Sequence, residues 1–368
     1  MKGNMFTHIY QMRSSLFGTS YEEEIRRTYS EIENGITKNN VSSAPRIIMF
    51  KVTDRCNSGC IYCGYARQNT KNQISAEQDY PNTESLIDVF DQAATIGVDA
   101  VALNGGEPLL RRDIVELVSA LSVRKILPIL MTNGILLRSK WDALGAAGLR
   151  YIVISLDSLN PEHYRFQRGV GFDIAFQGIQ AAMKLREKYG DTAIHLTTVL
   201  TRYNLEDMIP LAEFCTQNKL WLEISVYDTY GMTEDKLSVT DRDRLEKAVC
   251  ELINMRKNGA YISSSEEYMR HLPEFCINHR RIPEKYTCFS GYGILLMDTL
   301  LNARPCWGSK VGNIGNMNQS SLGDLWKSEQ MCRYRKTMLC GECGGCWNLC
   351  TEFNTMVLEM RKIFKGDI

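Results

Sequence analysis

Three cysteines fall within eight residues, Cys56-Asn-Ser-Gly-Cys60-Ile-Tyr-Cys63, directly after a short apolar run. Their thiols can meet only if the loop wraps one site, and Gly59 eases that wrapping. The 368-residue chain carries 13 cysteines, an odd number, and its opening MKGNMFTHIYQMRSS lacks an apolar h-region. No export signal is expected, which makes the cytoplasm the expected compartment. Thiols stay reduced there, so metal or iron–sulfur ligation is a stronger reading than a disulfide framework. Three ligands on a four-iron cluster leave one iron open, and an open position marks a catalytic rather than a structural site. A zinc loop would want a fourth Cys or His near by, and none is local.

Beyond residue 45 a regular alternation begins. Apolar, β-branched runs occupy 46–53, 98–104, 127–132, 151–156, 193–200 and 220–227, with helical patterns between them. In 172–188, Phe172, Ala175, Phe176, Ile179, Ala182 and Met183 share one helical face. Strands alternating with helices imply a parallel sheet, and six β/α units imply an α/β fold built as a partial (β/α)6 barrel. Such folds place chemistry at the carboxyl ends of strands.

The residues at those ends fit the rule. The second strand closes in Gly105-Gly106-Glu107-Pro108, where paired glycines admit close approach and Pro108 holds Glu107 extended. A carboxylate there can accept hydrogen bonds from an ammonium. Thr132-Asn133-Gly134 reads as a βα turn. Ser155 and Asp157 offer a hydroxyl and a carboxylate. Asn160-Pro161 reads as the cap and first residue of a helix that leads to Arg168. Val199 closes the fifth strand.

Cys-x3-Cys-x2-Cys with Tyr62 before the third cysteine resembles the signature of the radical SAM superfamily, and the similarity extends over about 46–230. The resemblance implies a [4Fe–4S] cluster on Cys56, Cys60 and Cys63. Its open iron chelates S-adenosylmethionine (SAM), whose reductive cleavage gives a 5′-deoxyadenosyl radical that abstracts a substrate hydrogen. It implies further that the backbone near Tyr62 contacts adenine and that Gly105, Gly106, Glu107 and Pro108 form the motif that binds the methionine amino group. Asn133, Ser155, Asp157, Arg168 and Val199 complete the implied SAM contacts, with Ser155 on ribose or carboxylate and Arg168 as a carboxylate partner.

A second group comprises Cys288, Cys306, Cys332, Cys340, Cys343, Cys346 and Cys350. Cys288 and Cys306 flank a hairpin-like stretch, and the block closes in CGECGGCWNLC. It resembles the SPASM and shorter twitch domains, which implies an auxiliary [4Fe–4S] cluster. The match departs from that pattern: the closing cysteines are spaced x2, x2, x3, none follows Cys350, and Leu301 stands where a glycine is expected. One cluster on Cys288, Cys306, Cys343 and Cys346 is expected, with Cys340 or Cys350 as replacements for either of the last two. Isolated Cys215, Cys250 and Cys276 read as core thiols, and Trp307 and Trp347 as packing.

The expected organisation is a helical extension at 1–45, the barrel at 46–240, a helical connection at 241–287, the auxiliary domain at 288–350 and a closing helix at 351–368. Lys+Arg and Asp+Glu are 43 each, so no general nucleic-acid or anionic-membrane footprint is expected. No apolar run approaches the roughly 18 residues of a spanning helix. The expected activity is oxidation of a small polar molecule such as a sugar or aminocyclitol, with a flavodoxin or ferredoxin as electron donor. Maturation of a ribosomally made peptide (thioether, C–C or epimer formation) is the alternative. The 45-residue extension is short for a peptide-recognition module. A non-catalytic iron–sulfur carrier or assembly protein would not need Glu107 and the other strand-end groups.

Overall fold

The computed structural model describes residues 3–38, 41–42, 44–64, 81–227, 237–278, 287–306, 311–343, 346–348 and 350–365. Trp307 lies outside them. Two helices open the chain, α1 (Met5–Phe17) and α2 (Tyr21–Lys38). The alternating core follows: β1 (Ile47–Thr53), α3 (Thr83–Ile96), β2 (Ala100–Gly105), α4 (Ile114–Val123), β3 (Leu127–Thr132), α5 (Leu137–Ala146) and β4 (Tyr151–Ser155). It continues with α6 (Pro161–Arg168), α7 (Phe172–Tyr189), β5 (Ala193–Leu200), α8 (Met208–Asn218) and β6 (Trp221–Val226). Helices α9 (Arg242–Lys257), α10 (Glu266–Arg270) and α11 (Leu272–Asn278) lead to β7 (Ile294–Met297), β8 (Asn302–Arg304) and β9 (Gly315–Asn316). The chain closes with α12 (Leu322–Lys327), α13 (Glu329–Leu339) and α14 (Cys350–Lys365).

Strands β1 to β6 are parallel and lie in sequence order, and the sheet does not close on itself. This is the partial barrel that the β/α alternation implies. Its runs are apolar on both faces because helices cover the outside and side chains fill the lumen. The cysteine-rich region is joined to it rather than set apart. β7 pairs in parallel with the free edge of β1, Ile47 against Ile294 through Phe50 against Met297, and β8 folds back antiparallel. The hairpin turn places Leu301 at φ 63°, a left-handed conformation that glycine adopts at less cost. Buried Leu301 holds it with packing.

Successive lumen-facing positions explain why the barrel has a floor and a mouth. Ile47, Ala100, Ala102, Leu127, Ile129, Tyr151 and Val153 pack against Met5, Phe6, Ile9 and Tyr10 of α1 and against Phe353 and Met356 of α14. The α1 helix plugs the barrel's amino end. Buried Asp99 fastens it, accepting from Arg13, Arg27 and Arg46 at 3.4, 2.7 and 3.3 Å. One pleat repeat further on, the lumen positions become Lys51, Asn104, Met131, Ser155, Thr197 and Ser225, all half-buried.

Between floor and mouth lies a buried polar knot. His8 Nδ1 and His195 Nε2 are 3.4 Å apart, and Glu223 stands 4.0 Å from His195 Nδ1. Burial, reinforced by Glu352, pushes the Glu223 carboxyl up to about 8 from its ordinary 4.5. The folded chain thus holds this proton more tightly than the unfolded one. That contribution to stability is complete below about pH 4.5 and is lost as pH rises through about 8. Glu223→Gln, which cannot ionise, should therefore gain on the parent chain between pH 5 and 8.5, at up to about 1.4 kcal/mol per pH unit. Calorimetric unfolding at the two pH values checks this, and parallel stability profiles would remove Glu223 as the titrating group.

Candidate active site

The cysteine loop leaves β1 at the mouth and is pinned by the end of α6. Gly59 N–H donates to the Arg168 carbonyl at 3.0 Å, and Ile61 N–H to the Gln167 carbonyl at 2.9 Å. Helix α6 ends there because Gly169 takes a left-handed conformation, φ 68°. Asn160 caps its other end and Pro161 is its first residue, as the sequence implies. The three thiols interact: burial and then the neighbouring groups Glu107, Cys60 and Cys63 push the Cys56 thiol up to about 11. Among the described residues, no three His, Cys, Asp or Glu side chains converge tightly enough to hold a single ion. A cubane instead takes thiolates spread around its corners, and three soft thiols on one loop fit that donor set.

The motif at the end of β2 also has a cause within the chain itself. A Cβ on Gly105 would lie 2.2 Å from the Thr53 carbonyl oxygen, and one on Gly106 2.1 Å from that of Arg55. Both glycines are needed so that the backbone entering the cysteine loop can cross β2. Gly106 N–H and Glu107 N–H donate to those carbonyls at 2.8 and 2.7 Å. Pro108 opens a short 3-10 turn. Glu107 is fully buried. Its carboxylate accepts from Leu109 N–H (3.0 Å), the Thr132 hydroxyl (2.7 Å) and Asn133 N–H (2.7 Å). Burial still raises its pKa. Oε2 carries one of these three bonds, which leaves it a further acceptor site. Asn133 reaches back to Asn57 of the cysteine loop at 2.8 Å, so β1, β2 and β3 share one polar network.

Asp157 organises the other side. Its oxygens accept from Arg168 Nε and Nη2 (2.6 and 2.9 Å), the Tyr62 hydroxyl (2.5 Å) and Val199 N–H (2.9 Å). Four donors fill a carboxylate. Asp157 and Arg168 are thus engaged with each other, and Tyr62 is tied to β4 instead of standing free. Ser155 is half-buried on the lumen side of β4.

The second thiol group gathers where β7 and β8 meet α14. Burial raises Cys346, followed by the effects of Cys306, Cys288 and Cys350. Burial and then Cys306 and Cys288 push Cys350 up to about 12. Cys343 neighbours Cys288. Cys340 is exposed at the end of α13, and Cys332 lies 4.0 Å from Arg335 Nη1. Cys288 and Cys306 thus act on both Cys346 and Cys350, and Cys343 acts on Cys288. Residue spacing could not choose Cys350, which opens α14 with its carbonyl accepting from the Ser290 hydroxyl. Trp347 packs on Tyr268 with ring centroids 5.7 Å apart. Cys215 and Cys276 are buried, whereas Cys250, expected in the core, is exposed. The sequence reading also missed Lys51, whose apolar neighbours on β1 concealed a cation facing the mouth.

The profile of the radical SAM superfamily matches residues 50–215, and that of the iron–sulfur cluster-binding SPASM domain matches 288–347. A GTP 3',8-cyclase of Peptoclostridium acidaminophilum is 33% identical over 230 residues, covering 61% of this chain and 68% of the cyclase. An AdoMet-dependent heme synthase of Methanosarcina barkeri is 24% identical over 327 residues, covering 83% of this chain and 89% of the synthase. The fold of Streptococcus suis SuiB bound to S-adenosylmethionine agrees with a TM-score of 0.63 at 20% identity, over 89% of this chain and 78% of SuiB.

Gly106→Ala should displace the cysteine loop, because its new methyl meets the Arg55 carbonyl rather than a flexible side chain. Iron bound after anaerobic reconstitution should fall by about the four atoms of one cubane. Gly171→Ala, with nothing within 4 Å of the added methyl, should keep the full complement. Equal iron in the two variants would contradict the crossing constraint.

Proposed function

This chain belongs to the radical SAM superfamily, and we propose from that membership that it oxidises a small polar molecule such as a sugar or aminocyclitol at the barrel mouth. It is an enzyme with a SAM-binding [4Fe–4S] cluster and a C-terminal auxiliary iron–sulfur domain. The bound cluster and SAM supply a 5′-deoxyadenosyl radical that removes a hydrogen atom. Oxidation of a carbinol to a carbonyl then needs one further electron and one proton to leave the substrate. The observation that carries the reading is the β1–β7 pairing. That pairing builds the cysteine-rich region into the barrel sheet, next to the strand that leads into the SAM-cluster loop, so an electron acceptor belongs to the same packed body as the SAM site.

Each group of residues has a part in this reading. Cys56, Cys60 and Cys63 hold the SAM cluster, and Asn57 and Tyr62 anchor the loop between them. Glu107 receives the methionine ammonium at Oε2. The half-buried Lys51, Asn104, Ser155, Thr197 and Ser225 offer donors and acceptors to a hydroxyl-rich substrate. Cys288, Cys306, Cys346 and Cys350 hold the auxiliary cluster. A flavodoxin or ferredoxin supplies the low-potential electron. The first two helices support a small substrate over a peptide, since α1 is spent on plugging the barrel floor.

Replacing Cys56, Cys60 and Cys63 together by Ala should abolish 5′-deoxyadenosine formation and leave about four irons per chain. Cys350→Ser should remove the auxiliary iron and keep SAM cleavage, whereas Cys340→Ser should keep both. Iron counting and chromatography read these outcomes, and full iron in Cys350→Ser would return Cys343 to the ligand set. For the substrate, deuterated sugars and aminocyclitols should pass deuterium to 5′-deoxyadenosine. Transfer from peptides alone would favour a maturase.

A further inference from the structure

Arg168 does more than brace the loop. Its Nε and Nη2 are occupied by Asp157, and its Nη1 points at the Cys60 sulfur, 3.8 Å away. The Ser58 hydroxyl lies 3.3 Å from the same sulfur and donates to the Arg168 carbonyl at 2.8 Å. Arg168 is only 6% exposed, so water screens its charge little. The Tyr62 ring sits 5.4 Å beneath it. The Asp157 carboxylate is held on the far side by Val199 N–H and Tyr62, which fixes the order carboxylate, guanidinium, sulfur. No water-exposed freedom remains for the cation to turn away.

We propose that Arg168 is a positioning residue that raises the reduction potential of the SAM cluster through the Cys60 sulfur. The inference rests on Cys60 being a ligand of that cluster. Reduction adds one electron to the cluster, and a fixed cation beside a ligand sulfur favours the more negative state. Hydrogen bonds to ligand sulfurs act in the same direction. Asp157 opposes the cation, but from one guanidinium width further away, so the nearer positive end prevails. The fork geometry matters as well as the charge. A lysine cannot hold both carboxylate oxygens and still reach the sulfur along a planar edge.

The test is a mediated redox titration of the reconstituted full chain, read by electron paramagnetic resonance. Arg168→Gln should lower the midpoint of the SAM cluster by at least a tenfold shift in its one-electron equilibrium, about 59 mV. Arg168→Lys should fall between it and the parent. Because Arg168→Gln strands a buried carboxylate, Asp157→Asn/Arg168→Met serves beside it, removing both charges together; its midpoint should also fall. An unchanged midpoint in the double variant would overturn the inference. If SAM binding weakened in that variant while the midpoint held, Arg168 would be a SAM contact instead. The cysteine-to-alanine triple variant separates the two levels. If the signal under titration survives in it, the cluster assignment has failed rather than the role of Arg168.

Discussion

Everything at the mouth depends on two backbone hydrogen bonds from the cysteine loop to the last carbonyls of α6. A helix leaves its final carbonyls without intrahelical partners, and here Gly59 and Ile61 N–H satisfy two of them. The loop thereby gains a rigid edge to fold along, and three thiols are displayed without a strand of their own. The constraint is mutual. Gly169 must end α6 at Arg168, and its φ of 68° lets the chain turn away where Gly59 approaches. Asp157 then ties Tyr62, Arg168 and Val199 to one carboxylate, which joins the segment after β4 to β5, α6 and the loop.

The auxiliary region is constrained in the same spirit. Its hairpin extends the barrel sheet at β1, and its closing helix α14 returns to the barrel floor. Gly293 accepts the Phe353 ring where a side chain would have stood, 2.0 Å from any added Cβ. Phe353 also meets Phe6 of α1 edge-on at 5.4 Å. Arg335 stacks on Trp326 at 4.3 Å and donates to the carbonyls of Gly291 and Trp326. The thiols of this region are therefore positioned by the same packing that covers the barrel floor. A shift at either end is felt at the other because packed interiors transmit strain.

The barrel was legible because buried parallel strands leave long apolar runs and their turns carry caps and glycines. Asn160-Pro161 could be placed at a helix start from residue type alone. The role of α1 was not legible, since Asn4, His8 and Arg13 make the opening residues read as polar while Asn4 meets Glu352, His8 meets His195 and Arg13 meets Asp99, all far away in the chain. The paired glycines carry a second need that the sequence hides. They allow a backbone crossing, which no local pattern distinguishes from ligand approach. Arg168 and Asp157 were legible as chemistry-bearing residues. Their mutual fork was not, because a pairing across eleven residues of loop and helix has no periodic signature.

The central claim is that the chain holds two iron–sulfur sites and that only the loop site, with three protein ligands, has an iron open to SAM. Adding SAM to the fully reduced chain under electron paramagnetic resonance tests it directly. One cubane signal should change its g-values, and a second should stay as it was. A response from both signals would give the auxiliary site an open iron, and a response from neither would contradict SAM ligation at Cys56, Cys60 and Cys63.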